Sequence, residues 1–318
     1  MTFDTQKPRF AYELEHLIFT QAASESVYCA TNLMQVAKRV HGWVAPILYR
    51  VVVLDAREIV WPPINAFTPP SGQGLIETMT KYGKHLRHFL ISGAVSNNAL
   101  AECLKLCPNI VDLALWDRTV HPDVIRVCAN LKLKRLSVNV GNGLDYVDWT
   151  KKAKGPPGDK VDVTLWQSSL THLEVIDQDV DLEGWKPAFH GLKNLQYVSM
   201  QASELEDDDD LRSGVLKACK GLKGLAFIAP MYKYFDEDAD EEEEEADKRD
   251  WRVGNPWDWE VNLFELVTSR LFNSVYSDED RRLLIVFSKY TEDWLKGSLI
   301  DEGMWSLAEK KASENERK

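Results

Sequence analysis

The sequence predicts an α/β fold: a leucine-rich-repeat solenoid with a curved parallel sheet inside and helices outside. Three observations predict it. First, the pattern apolar-x-x-apolar-x-apolar recurs six times, as LRHFLI at 86–91, IVDLAL at 110–115, LKRLSV at 133–138, LTHLEV at 170–175, LQYVSM at 195–200 and LKGLAF at 222–227. Second, successive copies start 24, 23, 37, 25 and 27 residues apart, a period in the twenties with one enlarged gap. Third, the stretches between copies carry helix-like apolar spacing. Within a copy the fourth and sixth residues lie two apart, so in a strand both point into the core, while the fifth and seventh point the other way.

The elements follow in order along the 318 residues. YELEHLIF at 12–19 begins a helix. Ser24 or Ser26 is placed to cap a second helix, in which Leu33, Val36, Val40 and Val44 form one apolar face. Pro46 opens PILYRVVVL, where Val51 and Val53 read as a first strand. WPPINAFTPPSGQG at 61–74 is a proline- and glycine-rich loop. Helices are expected at 96–106, at 121–131 with Pro122 in the first turn, and at 210–222 with Asp210 or Ser213 as cap. Residues 141–168 interrupt the period and read as a surface excursion. DWEVNLFELVTSRLFN at 258–273 has an amphipathic helical pattern, LLIVF at 283–287 reads as a buried last strand, and residues 301–314 as a closing helix. The division is a helical unit over 1–50 and a repeat domain over 51–318.

The run YELEHLIFTQAA…TNLMQVAKRVHGWVAPILYRVVVL resembles the F-box-like N-terminus of the leucine-rich-repeat families of mushroom-forming fungi. Glu13, Leu14, Ile18, Phe19, Lys38, Val40, Trp43, Pro46, Leu48 and Tyr49 stand where that family pattern wants them. Phe10-Ala11 stands where leucine-proline is usual. The resemblance continues through the repeats into KYTEDWLKGSLIDEGMWSLAEKK at 289–311. It implies docking on a Skp-family adaptor of cullin–RING ubiquitin ligases through Leu14, Ile18 and Phe19, with the repeats holding a substrate protein. The helical unit also reads as a plain cap on the first repeat, since repeat stacks need a terminal unit with a polar outer face.

Charge narrows the partners. The net charge is −12. The run 204–210 carries −6 and the run 236–250 carries −9, so the rest of the chain is near neutral at +3. A nucleic acid, whose binding rests on neutralising phosphate, is not expected. The second acidic run is too charged to bury a core and is expected to be disordered. A repeat scaffold whose acidic segments bind basic proteins, with no ligase attached, is the alternative reading. No stretch of about 18 apolar residues suggests a membrane span, and no signal-peptide core opens the chain. Five cysteines do not make a disulfide framework in a chain this long. A monomer in the cytoplasm or nucleus is expected.

Candidate chemistry is sparse. His85, His88, Cys103 and Cys107 lack the tight spacing of a zinc site, and Cys107 and Cys219, each six residues before the fourth position of the copy that follows it, read as core. No serine sits in a nucleophile elbow, and GQG at 72–74 and GNG at 141–143 lack the spacing of phosphate loops. Neither a catalytic residue, a cofactor nor a metal is expected. Positions three, five and seven of each copy should share the concave face. They are His88, Leu90 and Ser92; Asp112, Ala114 and Trp116; Arg135, Ser137 and Asn139; His172, Glu174 and Ile176; Tyr197, Ser199 and Gln201. This mixture of aromatic, apolar and charged groups suits a folded protein or peptide. Trp116 and Tyr197, with Arg135 between them, are the expected anchors.

Overall fold

In this computed structural model the described residues are 10–55, 73–92, 95–116, 121–139, 147–148, 161–176, 189–201, 215–217, 219, 221–230, 283–288, 309–310 and 313. The acidic runs and the segment 258–273 lie outside them. The chain begins with three helices, α1 (Tyr12–Glu25), α2 (Val27–Leu33) and α3 (Lys38–Leu48). They close a core of their own around Ala23, Ala30, Val40, Val44 and Leu48. Trp43 is the hub between α1 and α3. Its ring lies edge-on to Tyr12 and His16, with centroids 5.1 and 5.2 Å away, and its indole N–H donates to the Tyr12 hydroxyl at 3.1 Å.

Two expectations for this unit are corrected. The single second helix is two helices. Ser26 does cap α2, its hydroxyl accepting from the Cys29 N–H at 3.0 Å, but Ser24 sits inside α1 and donates back to the Thr20 carbonyl. The chain leaves α2 at Met34 and re-enters a helix after Ala37, which is fully extended at φ −161° and ψ 154°. That break rotates Val36 off the shared face and leaves it exposed, while Val40 and Val44 stay buried. Pro46, in turn, does not open a strand segment but lies inside α3. Its missing N–H there costs one helical hydrogen bond, to the Gly42 carbonyl.

Among the described residues, the rest is an α/β arrangement around one all-parallel, eight-stranded sheet. Its strands are β1 (Val51–Asp55), β2 (His88–Ser92), β3 (Asp112–Leu115), β4 (Arg135–Asn139), β7 (His172–Ile176), β8 (Tyr197–Gln201), β9 (Gly224–Pro230) and β10 (Leu283–Ser288), paired in chain order. A separate two-stranded parallel pair, β5 (Val147–Asp148) and β6 (Val161–Asp162), lies in the enlarged gap. Every repeat copy becomes a strand that begins at its third residue. LLIVF is β10, as expected.

The same bond is repeated at each strand entry. The carbonyl of a copy's second residue accepts the N–H groups of the second and third residues of the next copy: Arg87 O from Val111 and Asp112, Val111 O from Lys134 and Arg135, Lys134 O from Thr171 and His172, Thr171 O from Gln196 and Tyr197, Gln196 O from Lys223 and Gly224. Arg50 O plays this part for Arg87 and His88. Tyr49–Leu54 is therefore a further copy, with Tyr49, Val52 and Leu54 at its apolar positions. Tyr49 is buried in the helical unit's core, so the two parts of the chain share a residue.

Four helices, α4 (Gln73–Tyr82), α5 (Asn97–Lys105), α6 (Pro122–Cys128) and α7 (Thr164–Ser169), pack on one face of the sheet. Their Leu75, Met79, Leu104, Val124 and Trp166 join Phe89, Ile91, Leu113, Leu136 and Leu173 of the strands in one core. Cys103, Cys107, Cys128 and Cys219 are buried in it too. Ser96 caps α5, and Pro122 opens α6 behind a His121 cap. Of the helix expected over 210–222, residues 215–217 are helical and Val215 is core, whereas 219, 221 and 222 are described and lie outside any helix, so the helix ends before Cys219. The excursion is shorter than its expected 141–168: Val163 and Trp166 are buried, and the Trp166 indole donates to the Cys128 carbonyl at 3.0 Å. Asn109 and Asn194, each just before a copy, donate to the carbonyls of Lys84 and Ser168 in the preceding unit. These exposed bonds satisfy carbonyls at the C-terminal ends of short helical segments, which have no partner within the segment.

Candidate functional site

Two surfaces carry the residues singled out from the sequence. The first is the outer side of α1. Its inner side is fixed by Phe19 and Ala23 against the helical core and by Glu15, which takes the Arg39 guanidinium at 2.7 Å. At 100° per residue, Leu14, Leu17 and Ile18 then share the opposite face, in line with Phe10 just before the helix. These four are 53%, 61%, 50% and 57% exposed. Leu14 and Ile18 were singled out beforehand. Phe19 was too, but it is half-buried, tilted against Trp43 at 6.3 Å. Phe10 and Leu17 were missed, although their four- and three-residue spacing from Leu14 was readable. Tyr28 and Val36 add exposed apolar surface on the same helical unit.

The second surface is the sheet face away from the helices. Strand register sets His88, Asp112, Arg135, His172 and Tyr197 side by side in one row. Asp112 is buried, and its Oδ2 is shared by Arg135 at 2.9 Å and His88 Nδ1 at 3.2 Å. His172 stacks on Tyr197, with ring centroids 4.9 Å apart and planes 14° from parallel. The next row holds Val53, Leu90, Ala114, Ser137, Glu174 and Ser199. Trp116 lies beside it, packed on Val51, Val53, Leu90 and Ala114, and its indole donates to the Ser137 hydroxyl at 2.6 Å.

All seven residues singled out on this face do share it, but it is not open to solvent. Val51, Val53, Leu90, Ala114, Ser199, Glu174 and Tyr197 are buried, and Trp116 is partly so. One group that meets the face comes from far along the chain: the Glu309 carboxylate accepts from His172 Nε2 at 3.0 Å. Burial lowers the His172 pKa below its usual value, against the pull of Glu309 in the other direction.

The thiols are set up for packing rather than chemistry. Burial pushes Cys103 up to about 11 and Cys107 and Cys128 up to about 12, so these three stay protonated and weakly nucleophilic at neutral pH. The Cys107 thiol points at Met79 Sδ, 3.5 Å away. Among the described residues, no group of three or more His, Cys, Asp or Glu side chains is placed to hold a metal ion, and no helix is long and apolar enough to cross a membrane.

No family model matches the chain, and no curated protein matches it.

Proposed function

We propose that the chain is a leucine-rich-repeat solenoid led by an F-box-like helical unit, and that it works as a non-catalytic protein-interaction module. In this reading it is the substrate receptor of a cullin–RING ubiquitin ligase in the cytoplasm or nucleus, docked through α1 on a Skp-family adaptor. The observation that carries the reading is the exposed stripe of Phe10, Leu14, Leu17 and Ile18. The helical unit has its own core and does not need these side chains to hold it together. Each half-exposed side chain has roughly 1 kcal/mol left to gain on burial, and a contiguous apolar patch of this kind marks an interaction surface. The chain-order parallel sheet, with a repeated bond at each strand entry, supports the repeat architecture.

The test is co-purification of the full chain with a Skp-family adaptor, wild type against Leu14→Asp/Ile18→Asp. Both substituted positions are exposed, so circular dichroism should show an unchanged fold. Adaptor recovered with wild type and lost with the variant is the expected result. Recovery of basic proteins with no adaptor would replace this reading by a scaffold acting through its acidic runs at 204–210 and 236–250.

A further inference from the structure

The short connections that lead into the strands share one chemical character. They are residues 83–87, 106–111, 129–134, 170–171, 192–196 and 221–223, which precede β2, β3, β4, β7, β8 and β9. Asp and Glu make up 50 of the chain's 318 residues, and none falls in these connections. Lys84, Arg87, Lys132, Lys134, Lys193 and Lys223 do, and all six are exposed. Strand pairing in chain order brings the connections together along one edge. The repeated entry bond, from Arg87 O to Gln196 O, keeps their second residues in line. With neighbouring strands about 4.8 Å apart, the row from β2 to β9 is about 24 Å long.

Acids close to this edge are already engaged. Asp112, the first residue of β3, is buried between Arg135 and His88. Glu309 meets His172, and Glu102 in the last turn of α5 meets Lys105. Among the described residues no carboxylate pairs with any of the six cations. The helix ends at this edge do not account for them either, because α4, α5 and α6 carry their own cations in the last turn, Lys81, Lys105 and Arg126.

We infer that this strand-entry edge is a docking surface for an acidic, extended segment of a partner protein. An extended chain rises about 3.3 Å per residue, so a segment of about seven residues spans the row. A nucleic acid fits less well. The net charge of −12 opposes a long polyanion more than a short acidic segment. No Phe, Tyr or Trp stands in these connections to stack on a base. The surface belongs to the repeat stack and not to α1, so its test is independent of adaptor docking.

The probe is a fluorescein-labelled octaglutamate peptide, titrated with the full chain at low salt and read by fluorescence anisotropy. Saturable binding is expected, weakening as salt rises. Lys134→Glu and Lys193→Glu should each weaken it about fivefold, the scale of one exposed ion pair turned into a repulsion. Both side chains are exposed, so circular dichroism should show an unchanged fold. Lys38→Glu makes the same change in net charge at the end of α3 far from the sheet, and should weaken binding by less than about twofold. No binding to wild type, as would follow if the chain's own acidic runs filled the edge, overturns the inference. An equal loss in all three variants overturns it too, because it reports net charge alone. So does tighter binding of a single-stranded oligothymidylate of equal length, with the same dependence on Lys134 and Lys193.

Discussion

Tyr49 and Tyr82 lie ring on ring, with centroids 3.9 Å apart and planes 7° from parallel. The stack joins the end of the helical unit to α4 of the sheet layer, and His41 of α3 adds a 3.0 Å bond from its Nε2 to the Tyr82 hydroxyl. Burial, then Tyr82, pushes the Tyr49 phenol up to about 12. The sign follows: in the unfolded chain Tyr49 ionises first, near 10. Its contribution to stability is complete below that pH and is lost as pH rises from about 10 to about 12. Tyr82→Ala should cost about 2 kcal/mol and should bring the highest-pH phenolate transition downwards. Absorbance titration of the native protein and denaturant melts at neutral and alkaline pH would check both outcomes.

Gly83 sits where no side chain fits. A Cβ built there falls 2.6 Å from the Leu106 carbonyl oxygen and 2.8 Å from Cys107 Sγ. The oxygen belongs to backbone and the thiol is packed on Met79, so neither moves cheaply. Gly83→Ala should destabilise by about 1–3 kcal/mol, seen as a lower denaturation midpoint at unchanged slope. Gly42, with nothing near its would-be Cβ, is the matched control, and Gly42→Ala should be neutral or mildly stabilising.

Asp112 is a buried carboxylate between two donors. Asp112→Ala removes the carboxylate that pairs with the mostly buried Arg135 guanidinium and should cost about 3 kcal/mol. Arg135→Met in the same chain should restore much of the loss, because the charge that lost this carboxylate is then gone. A double-mutant cycle of urea midpoints measures this coupling, and additive losses would show that the pair is not what Asp112 provides.

Four of the five cysteines are buried and Cys29 is partly accessible. With Ellman's reagent the native protein should release about one equivalent quickly and the rest only on unfolding, following thiolate availability and access. Cys29→Ser should abolish the fast phase, and a fast phase that persists would mean the repeat core opens.

The repeated pattern made the strands legible because period-two alternation is enforced at every copy by burial on the helix side. The copy at Tyr49–Leu54 escaped, since Tyr49 also ends a helix and Val51–Val53 is apolar on both faces. The break between α2 and α3 was hidden for a different reason. Val36 continues the helical spacing of Leu33 and Val40, and no glycine or proline marks the turn at 34–37. On the sheet, the alternation correctly grouped His88, Asp112, Trp116, Arg135, His172, Glu174 and Tyr197. The contact of His172 with Glu309 was not legible, because no local pattern encodes a contact over that distance.

Pairing in chain order has a consequence for how the sheet is made. Among the described residues, no strand waits for a partner synthesised later, except β1, whose neighbour β2 follows it. Each new strand leaves the ribosome with its template already formed and needs only the short loop closure of one unit to join it. Growth then proceeds from the helical unit outward, with Arg50 offering the first acceptor. The widest steps, β1 to β2, β4 to β7 and β9 to β10, are where elongation of the sheet should pause, and where an exposed strand edge would recruit a chaperone or a neighbouring chain for longest.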